Sequence, residues 1–355
     1  ADSTKTLDVD GGTIKLDGNY PTGTANVALG DAALDDGSLS GSYNTALGAA
    51  SFGNLTSGTA NLAVGAYAGQ NHTTGSYNVF VGQEAAVGNT TGSFNTAVGR
   101  TALYSNTTAS NNTAVGYQAG YSNTTGTANT FLGKEAGKPI VGGQQNTMLG
   151  MQAGNVGGTG VSYSTYVGEG TGYSATGDYN TYIGHRAGVS MTSGQQNTIL
   201  GRFNGNDHGL DIRTSSNNIV LSDGAGNPRG FYNNAAVGWV FGDGDASTYW
   251  PNTSSVNNHN GVMIFPAVGA LGVTTNHGTA LYLNRNSTST PDGNLISFYR
   301  NAVFKGSISV SSSSTAYNTS SDHRLKENVV YDWDATTRLK QLKPARFNFI
   351  ADADT

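Results

Sequence analysis

Aliphatic residues followed directly by glycine recur between residues 30 and 201 at a nearly constant interval. The recurring unit reads Thr-Gly-x-x-Asn-Thr-Ala-Val-Gly-x-x-Ala-Gly, and one clear copy begins at Thr91. The glycines of successive copies are separated by 18 residues, then by 17 six times, then by 18, 16 and 17. A fixed short period predicts an elongated array in which each unit packs only against its neighbours, and not a globular enzyme with a cleft. The closing glycines of the eleven copies are Gly30, Gly48, Gly65, Gly82, Gly99, Gly116, Gly133, Gly150, Gly168, Gly184 and Gly201.

Two adjacent apolar positions precede each closing glycine, and they predict two apolar faces. The residue directly before the glycine is always Leu, Val or Ile, and the one before that is Ala in five copies and Phe, Met, Tyr or Ile in six. We interpret each repeat as strand, turn, strand, turn, and adjacent strand residues face opposite ways. One face then forms the core of the coil. The other predicts contact with another subunit, because a thin solenoid leaves its second apolar face uncovered.

The polar positions of the repeat predict turns and a hydrogen-bonded ladder. Asn occupies the motif centre in ten of the eleven copies, with Ser164 in the remaining one. Stacked once per coil, such amides bond along the array and to turn backbones, an interpretation that we prefer to ligand binding. The glycine at the second motif position is expected to adopt positive φ in a turn. The small residue three positions after the closing glycine, mostly Ala, is expected at a tight corner.

Composition favours a thin array over a compact globule. The chain of 355 residues contains 51 glycines and only 12% charged residues, and its large aliphatic residues are sparse. Disorder is the competing interpretation, but disordered linkers have no reason to keep aliphatic residues in register. We expect an all-β fold, with a degenerate twelfth copy of the repeat at residues 218–222. The predicted domains are an entry segment at 1–20, a β-solenoid shaft at 21–204, a distal β-rich stem or knob at 205–319, and an α-helical segment at 320–355.

Charge and composition exclude several classes of function. The net charge is −5, and residues 21–200 carry only four basic side chains, so we expect no nucleic-acid partner. No run of 18 apolar residues occurs, so no membrane insertion is expected. There is no cysteine, which excludes disulfides. The chain begins abruptly at Ala1 without a signal-peptide pattern, which suggests a processed or truncated piece.

No metal or cofactor site is predicted. The six histidines are not paired at metal-ligand spacing. Asp243, Gly244 and Asp245 are similar to the start of a calcium loop, but Ser254 stands where the closing glutamate belongs. The array also has no paired carboxylates at a defined site, so hydrolysis of a polysaccharide has little support.

Aromatic residues cluster between residues 205 and 319. Trp239, Tyr249 and Trp250 are candidate contacts to a host receptor, because exposed aromatic rings stack on sugar rings. The alternative is that Trp239 and Trp250 pack a small core, which is the more common role of tryptophan. Candidate strands in this region are 279–283, 294–299 and 306–310.

The most specific chemical signal lies near the carboxy terminus. A helix is predicted after Ser321 or Asp322 as N-cap. The segment resembles the start of the endosialidase-type intramolecular chaperone domain at the ends of bacteriophage tail fibres and spikes. The residues that carry this resemblance are Ser321, Asp322, Arg324, Leu325, Lys326, Glu327, Asn328, Leu339, Leu342 and the run from Pro344 to Phe349.

The resemblance implies a self-cleaving assembly domain. In that family the chaperone trimerises, helps the upstream fibre to fold and then cuts itself off. It implies cleavage of the Ser320–Ser321 bond, with Ser321 as nucleophile and Lys326 as its base. A lysine acts as base only where burial or a nearby charge lowers its pKa. An N-cap serine and a solvated lysine remain the alternative interpretation.

The repeats also resemble, more loosely, the heads of trimeric autotransporter adhesins, whose short Asn-x-Ala-Ile/Val-Gly repeats form trimeric β-rolls. We expect a homotrimeric bacteriophage tail fibre or spike in the virion that contacts the host surface outside the cell. Its expected partners are a host surface glycan or protein and other virion tail proteins. No turnover enzyme is expected, at most a single Ser/Lys autoproteolysis. Two alternatives stay open, a bacterial trimeric surface adhesin and a polysaccharide-depolymerising tail spike.

Overall fold

The computed structural model describes residues 23–155, 160–233, 238–242, 261–265, 270–274, 293–300, 302–310 and 314–319. The chain divides into two units, Ala1–Ala280 and Leu281–Thr355. The residues that the model describes form 21 strands and no helix, so the predicted all-β class is confirmed. The predicted entry segment at 1–20 and helical segment at 320–355 lie outside the described residues.

Each of the eleven predicted repeats forms one coil of a β-solenoid and contributes one short strand. Neighbouring strands pair in parallel and in register, so that Thr96 lies opposite Thr113 and Val98 opposite Val115. The strands are β1 (Val27–Leu29), β2 (Thr45–Leu47), β3 (Leu62–Val64), β4 (Val79–Val81), β5 (Thr96–Val98), β6 (Thr113–Val115), β7 (Thr130–Leu132), β8 (Thr147–Leu149), β9 (Thr165–Val167), β10 (Thr181–Ile183) and β11 (Thr198–Leu200).

The expectation of two strands in each repeat is wrong. After each three-residue strand the chain runs through turns and bends until the next coil begins. Left-handed residues such as Thr101 (φ 55°) and Leu103 (φ 50°) follow the closing glycine in quick succession. A strand needs an extended backbone, so these residues prevent a second strand on the far side of the coil.

The variable apolar position, and not the invariant one, forms the core. The residue two positions before each closing glycine is buried in all eleven coils, as at Ala97 and Phe131. The invariant aliphatic directly before the glycine points to the opposite side, and none of the eleven is buried. Alternation along a strand requires this division.

Large and small residues complement each other inside the coil. The second interior position lies four residues after the closing glycine, and it is Leu103 where β5 contributes Ala97 but Gly137 where β7 contributes Phe131. A Cβ on Gly137 would overlap the ring of Phe131. A Cβ on Gly69 would lie 2.6 Å from the Phe52 ring and 2.8 Å from the Phe80 ring. Large interior side chains therefore occupy the space that glycine leaves in their own coil or in an adjacent one.

The predicted asparagine ladder is confirmed. Each side chain binds the following coil twice, as at Asn44, whose Oδ1 accepts from the Asn61 N–H (3.0 Å) and whose Nδ2 donates to the Gly58 carbonyl (2.9 Å). From Asn44 to Asn218 these asparagines are buried. Ser164 continues the ladder, because its Oγ accepts from the Asn180 N–H (3.2 Å). The amides satisfy buried backbone groups that no strand pairs.

The predicted positive φ at the second motif glycine is wrong, although the tight corner is confirmed. Gly75 does not adopt positive φ; a Cβ there would overlap the carbonyl oxygen of Gly92 in the next coil. The left-handed residue is instead two positions later, at Tyr77 (φ 61°). The corner alanine is buried, and the Ala102 N–H donates to the carbonyl of Gly99 (3.2 Å).

The parallel array ends in an antiparallel sheet. The predicted twelfth copy is confirmed as β14 (Ile219–Ser222), which pairs in parallel with β11. The loop between them contains the short hairpin β12 (Asn206–Asp207) and β13 (Leu210–Asp211). The sheet then continues antiparallel through β15 (Pro228–Asn233), β16 (Gly238–Gly242), β17 (Gly261–Phe265) and β18 (Ala270–Thr274).

The second unit contains a separate antiparallel sheet of three strands. Its strands are β19 (Gly293–Arg300), β20 (Val303–Val310) and β21 (Thr315–Thr319). The predicted strands at 294–299 and 306–310 are confirmed, whereas the one predicted at 279–283 lies outside the described residues. Large side chains such as Tyr299 and Tyr317 are exposed on this sheet.

Candidate interaction surfaces

The outer side of the parallel sheet carries an apolar surface that runs the length of the array. We call it the outward face. It consists of a column of Leu, Val and Ile one position before each closing glycine and a column three positions before it, which is Thr in eight of the eleven coils. Leu132 (42% exposed), Leu149 and Leu200 are among its most exposed aliphatics. Twelve strands at about 4.8 Å each make this face about 50 Å long. None of its residues from Val27 to Leu221 is buried.

An aromatic column lies beside the outward face, five positions before the closing glycine. It consists of Tyr43, Tyr77, Phe94, Tyr163 and Tyr179, which are all exposed. Two pairs stack between adjacent coils: Tyr77 on Phe94 with ring centroids 5.1 Å apart, and Tyr163 on Tyr179 at 4.7 Å. Sequence analysis missed this column, although alignment of the repeats on their closing glycines places all five aromatics at one position.

The backbone of the aromatic column is strained. Every described residue at this position has φ between 56° and 63°, including Tyr43 at 61° and Phe94 at 58°. Left-handed φ costs a residue other than Gly or Asn about 1–2 kcal/mol. Asn111 and Asn217 show that the position accepts the residue type that relieves this strain. Stacking returns about 0.5–1.5 kcal/mol to each pair, but Tyr43 has no ring partner among the described residues.

A second buried polar ladder crosses four coils on the far side of the core, and sequence analysis did not find it. It consists of His72, Asn89, Asn106 and Asn123, seven positions after the closing glycines. Asn106 Nδ2 donates to Asn89 Oδ1 (2.6 Å) and Asn123 Nδ2 to Asn106 Oδ1 (3.3 Å). Leu55 and Ile140 occupy the same position in the coils directly before and after this ladder. Asn123 Oδ1, at the last step, is left without a partner among the described residues.

His72 is held in one neutral form. Its Nε2–H donates to the carbonyl of Gly75 (2.8 Å), so that Nδ1 is left to accept from Asn89 Nδ2 (2.8 Å). Burial lowers the pKa of His72 to about 4, although its hydrogen bond with the Gly75 carbonyl acts in the opposite direction. The ring packs between Phe52 and Phe80, with centroids 5.4 and 5.7 Å away. This histidine is a core residue and not a metal ligand or catalytic base.

Charged residues gather near the end of the parallel array. Glu169 contacts His185 Nε2 (2.9 Å) and Arg186 Nε (3.4 Å) across one coil. A shallow open cleft of about 480 Å³ is lined by Gly184, His185, Gly201, Arg202 and Gly224. The cleft is open to solvent and mostly apolar in its lining, so its charged groups are screened.

The predicted receptor contacts are described only in part. Trp239 in β16 is half-buried and stacks on Phe241 with ring centroids 5.5 Å apart, and it lies tilted against Tyr232 at 5.7 Å. These contacts give Trp239 a packing role. Tyr249 and Trp250 lie outside the described residues.

The predicted cleavage site also lies outside the described residues. Ser320, Ser321 and Lys326 all follow β21, which ends at Thr319. The rejected calcium loop at Asp243–Asp245 lies outside them as well. Where the structure describes the chain, no group of three or more His, Cys, Asp or Glu side chains is placed to hold a metal ion. No helix in that part of the chain is long and apolar enough to span a bilayer.

A search of protein families, of curated proteins and of solved structures finds no match to this chain.

Proposed function

We propose that this chain is a structural fibre protein of the bacteriophage tail-fibre or spike type, whose β-solenoid is the shaft of a homotrimer in the virion. The observation that carries the proposal is the outward face. The residues directly before the closing glycines form one unbroken column of Leu, Val and Ile, which Leu221 continues in the twelfth coil, and none of them is buried. A continuous apolar surface of this length favours contact with another surface.

Self-association is the simplest way to cover such a face. The aliphatic column repeats at the coil spacing, so a second copy presents the same spacing and its side chains can interdigitate along the whole length. The described coils contain no basic patch that would favour a nucleic acid instead. The proposed partners are therefore two further copies of this chain, other virion tail proteins, and a host surface glycan or protein.

The tail-fibre assignment itself rests on the resemblance of the carboxy-terminal segment to an intramolecular chaperone. Under this proposal Ser321 Oγ attacks the carbonyl carbon of Ser320, the peptide C–N bond breaks, and an ester links the two residues. Lys326, as the neutral amine, takes the hydroxyl proton and returns it to the nitrogen of Ser321 as that nitrogen leaves, and water then opens the ester. One peptide bond is hydrolysed, with no turnover on other substrates.

Three measurements test the proposal. Light scattering after size exclusion should give three times the chain mass of 36.5 kDa; a monomer would contradict the trimer. Intact-mass spectra of the full-length gene product should show a fragment that begins at Ser321, and Ser321→Ala should abolish it. If the wild-type product is never cut and the Ser321→Ala product has the same intact length, self-cleavage is refuted. Immunoelectron microscopy should place the chain on a phage tail; label on a bacterial surface would favour an adhesin.

A further inference from the structure

We propose that Tyr43, Ala60 and Tyr77 form a cleft that binds one neutral pyranose ring of a saccharide. The three residues occupy the aromatic-column position in coils two, three and four. We call this the Ala60 cleft. The proposal names a ligand class and a site for the host-contact part of the proposed function, but it does not depend on the trimer.

The backbone holds the walls of the Ala60 cleft in place. The N–H of Tyr43 donates to the Thr24 carbonyl, that of Ala60 to Ser42 and that of Tyr77 to Thr59, each over 3.0 Å. Each position is thus bonded to the coil before it, and each has the same left-handed conformation, with φ of 61°, 56° and 61°. The backbone of the cleft is therefore fixed, and no loop has to close over a ligand.

The spacing between the two rings differs from that in the stacked pairs. Tyr77 and Phe94 occupy adjacent coils and close on each other at 5.1 Å. Tyr43 and Tyr77 are two coils apart, a separation of about 9.6 Å along the array. The alanine between them adds only a methyl group. Ala60 is half-buried, whereas Ala128 and Ala25 at the same position are exposed. Tyrosines flank Ala60 on both sides, whereas Asn111 and Gln145 flank Ala128.

The width of the Ala60 cleft selects a puckered ring. A flat ring in contact with both tyrosines would fill only about 7–8 Å, two carbon–carbon contacts of 3.5–4.0 Å each. A saturated six-membered ring is thicker, because its carbons pucker and its axial hydrogens point to both sides. Those C–H groups are attracted to the electron-rich faces of aromatic rings. A pyranose therefore fits this spacing better than a nucleobase or an aromatic side chain does.

The rim of the Ala60 cleft matches the hydroxyl groups of a neutral sugar. Ser42, Thr59 and Ser76 precede the three cleft residues and form a column of hydroxyls. Ser42 Oγ and Ser76 Oγ accept hydrogen bonds from the N–H groups of Thr24 (3.1 Å) and Thr59 (3.0 Å). The hydroxyl of Thr59 makes no bond with the described residues and is open to a ligand. No charged residue occurs in residues 40–43, 57–60 or 74–77, which favours an uncharged saccharide.

The array provides matched variants for a test. Ala60→Trp should fill the cleft, and Ala128→Trp puts the same bulk at the same column position, between Asn111 and Gln145. Tyr43→Asn removes one wall with a residue that the fold already accepts at this position, and Tyr179→Asn is its control outside the cleft. Because Asn relieves left-handed strain, Tyr43→Asn should fold at least as stably as the wild type.

The experiment is saturation-transfer NMR on the full chain with methyl glycosides of glucose, galactose, mannose and N-acetylglucosamine. We expect transfer to at least one glycoside, lost at least fivefold in Ala60→Trp and Tyr43→Asn and retained in Ala128→Trp and Tyr179→Asn. No transfer to any of the four from the wild type, or equal transfer in all variants, would overturn the cleft. So would dissociation of an oligomer by Ala60→Trp but not by Ala128→Trp, because the column would then be an interface between copies. A monomer that binds sugar would refute the trimeric shaft and leave the cleft standing.

Discussion

Asn89 Nδ2 donates a hydrogen bond of 2.8 Å to Nδ1 of His72, one coil away, inside the core of the array. The bond requires that Nδ1 carry no proton. His72 therefore contributes to folding only as the neutral imidazole, in a position where the next two coils have Asn89 and Asn106.

The stability of the array should fall with acid because of His72. The pKa of His72 is about 4 in the folded chain, against an ordinary value of 6.5. Between these two values the histidine is protonated in the unfolded chain but neutral in the folded one. The contribution of His72 is thus complete above pH 6.5 and is lost as the pH falls towards 4, up to about 3 kcal/mol. Thermal melts between pH 7.5 and 4.5 should show this slope. His72→Asn should extend the ladder of Asn89 and flatten the slope; an unchanged slope would contradict the assignment.

A large and a small interior residue should be exchangeable only when both positions are changed together. Phe131→Ala should lower the free energy of unfolding by about 3–5 kcal/mol, because it leaves a cavity. Gly137→Leu should also destabilise, because its side chain would overlap Phe131. The double variant reproduces the pairing of Ala97 with Leu103, and it should recover about 1–3 kcal/mol of the summed loss. Denaturant titrations of the four proteins measure this coupling, and strictly additive losses would show that the two positions do not share space.

The ladder asparagines should tolerate serine better than alanine. Asn180 Oδ1 accepts from the Asn197 N–H (2.9 Å), and its Nδ2 donates to the Gly194 carbonyl (2.9 Å). Asn180→Ala leaves both groups buried without this partner, which should cost about 2–4 kcal/mol. Asn180→Ser keeps an acceptor in the place where Ser164 serves the same role, so its loss should be about half. Equal melting temperatures of the two variants would show that the ladder contributes only packing.

Charge on the outward face should disrupt assembly without unfolding the coil. Leu132→Lys places an ammonium group on this face, where a partner copy would have to bury it. Thr125→Lys, on an exposed turn of the same coil, is the matched control. Light scattering should report a lower mass for Leu132→Lys alone, while circular dichroism stays unchanged in both. Assembly that survives Leu132→Lys would mean that copies meet elsewhere.

The repeat made the array predictable. The residues that revealed it are those whose type is fixed by a single structural requirement. A closing glycine with φ near 130° and an asparagine that bonds the next coil admit few substitutes. Both therefore recur almost without change, and they locate the coils and the twelfth copy. The core was harder to assign, because Leu or Val before the glycine is the more regular apolar position yet lies outside. Interior residues vary because each, like Phe131, fits its own neighbours.

Errors arose where one residue type has two physical uses. Gly75 suggested positive φ, but the absence of a side chain there makes room for the Gly92 carbonyl. The left-handed position falls on Tyr77 and Phe94, residue types that give no sign of it. His72 escaped notice because a single histidine shows no metal spacing, and its role emerges only from its alignment with Asn89. The Ser321 segment stays a prediction.

Changes in the size of the interior residues distinguish neighbouring coils in the middle of the array, from the second coil to the seventh. Backbone pairing and the asparagine ladder are almost the same in every coil, so a chain that slipped by seventeen residues would keep those bonds. The same slip would put Leu103 where Gly120 belongs and force it against Phe131. Misaligned intermediates are therefore penalised from within each chain. During evolution a shaft of this kind can gain or lose whole coils only at junctions where the interior side chains of the two coils that become neighbours still fit together.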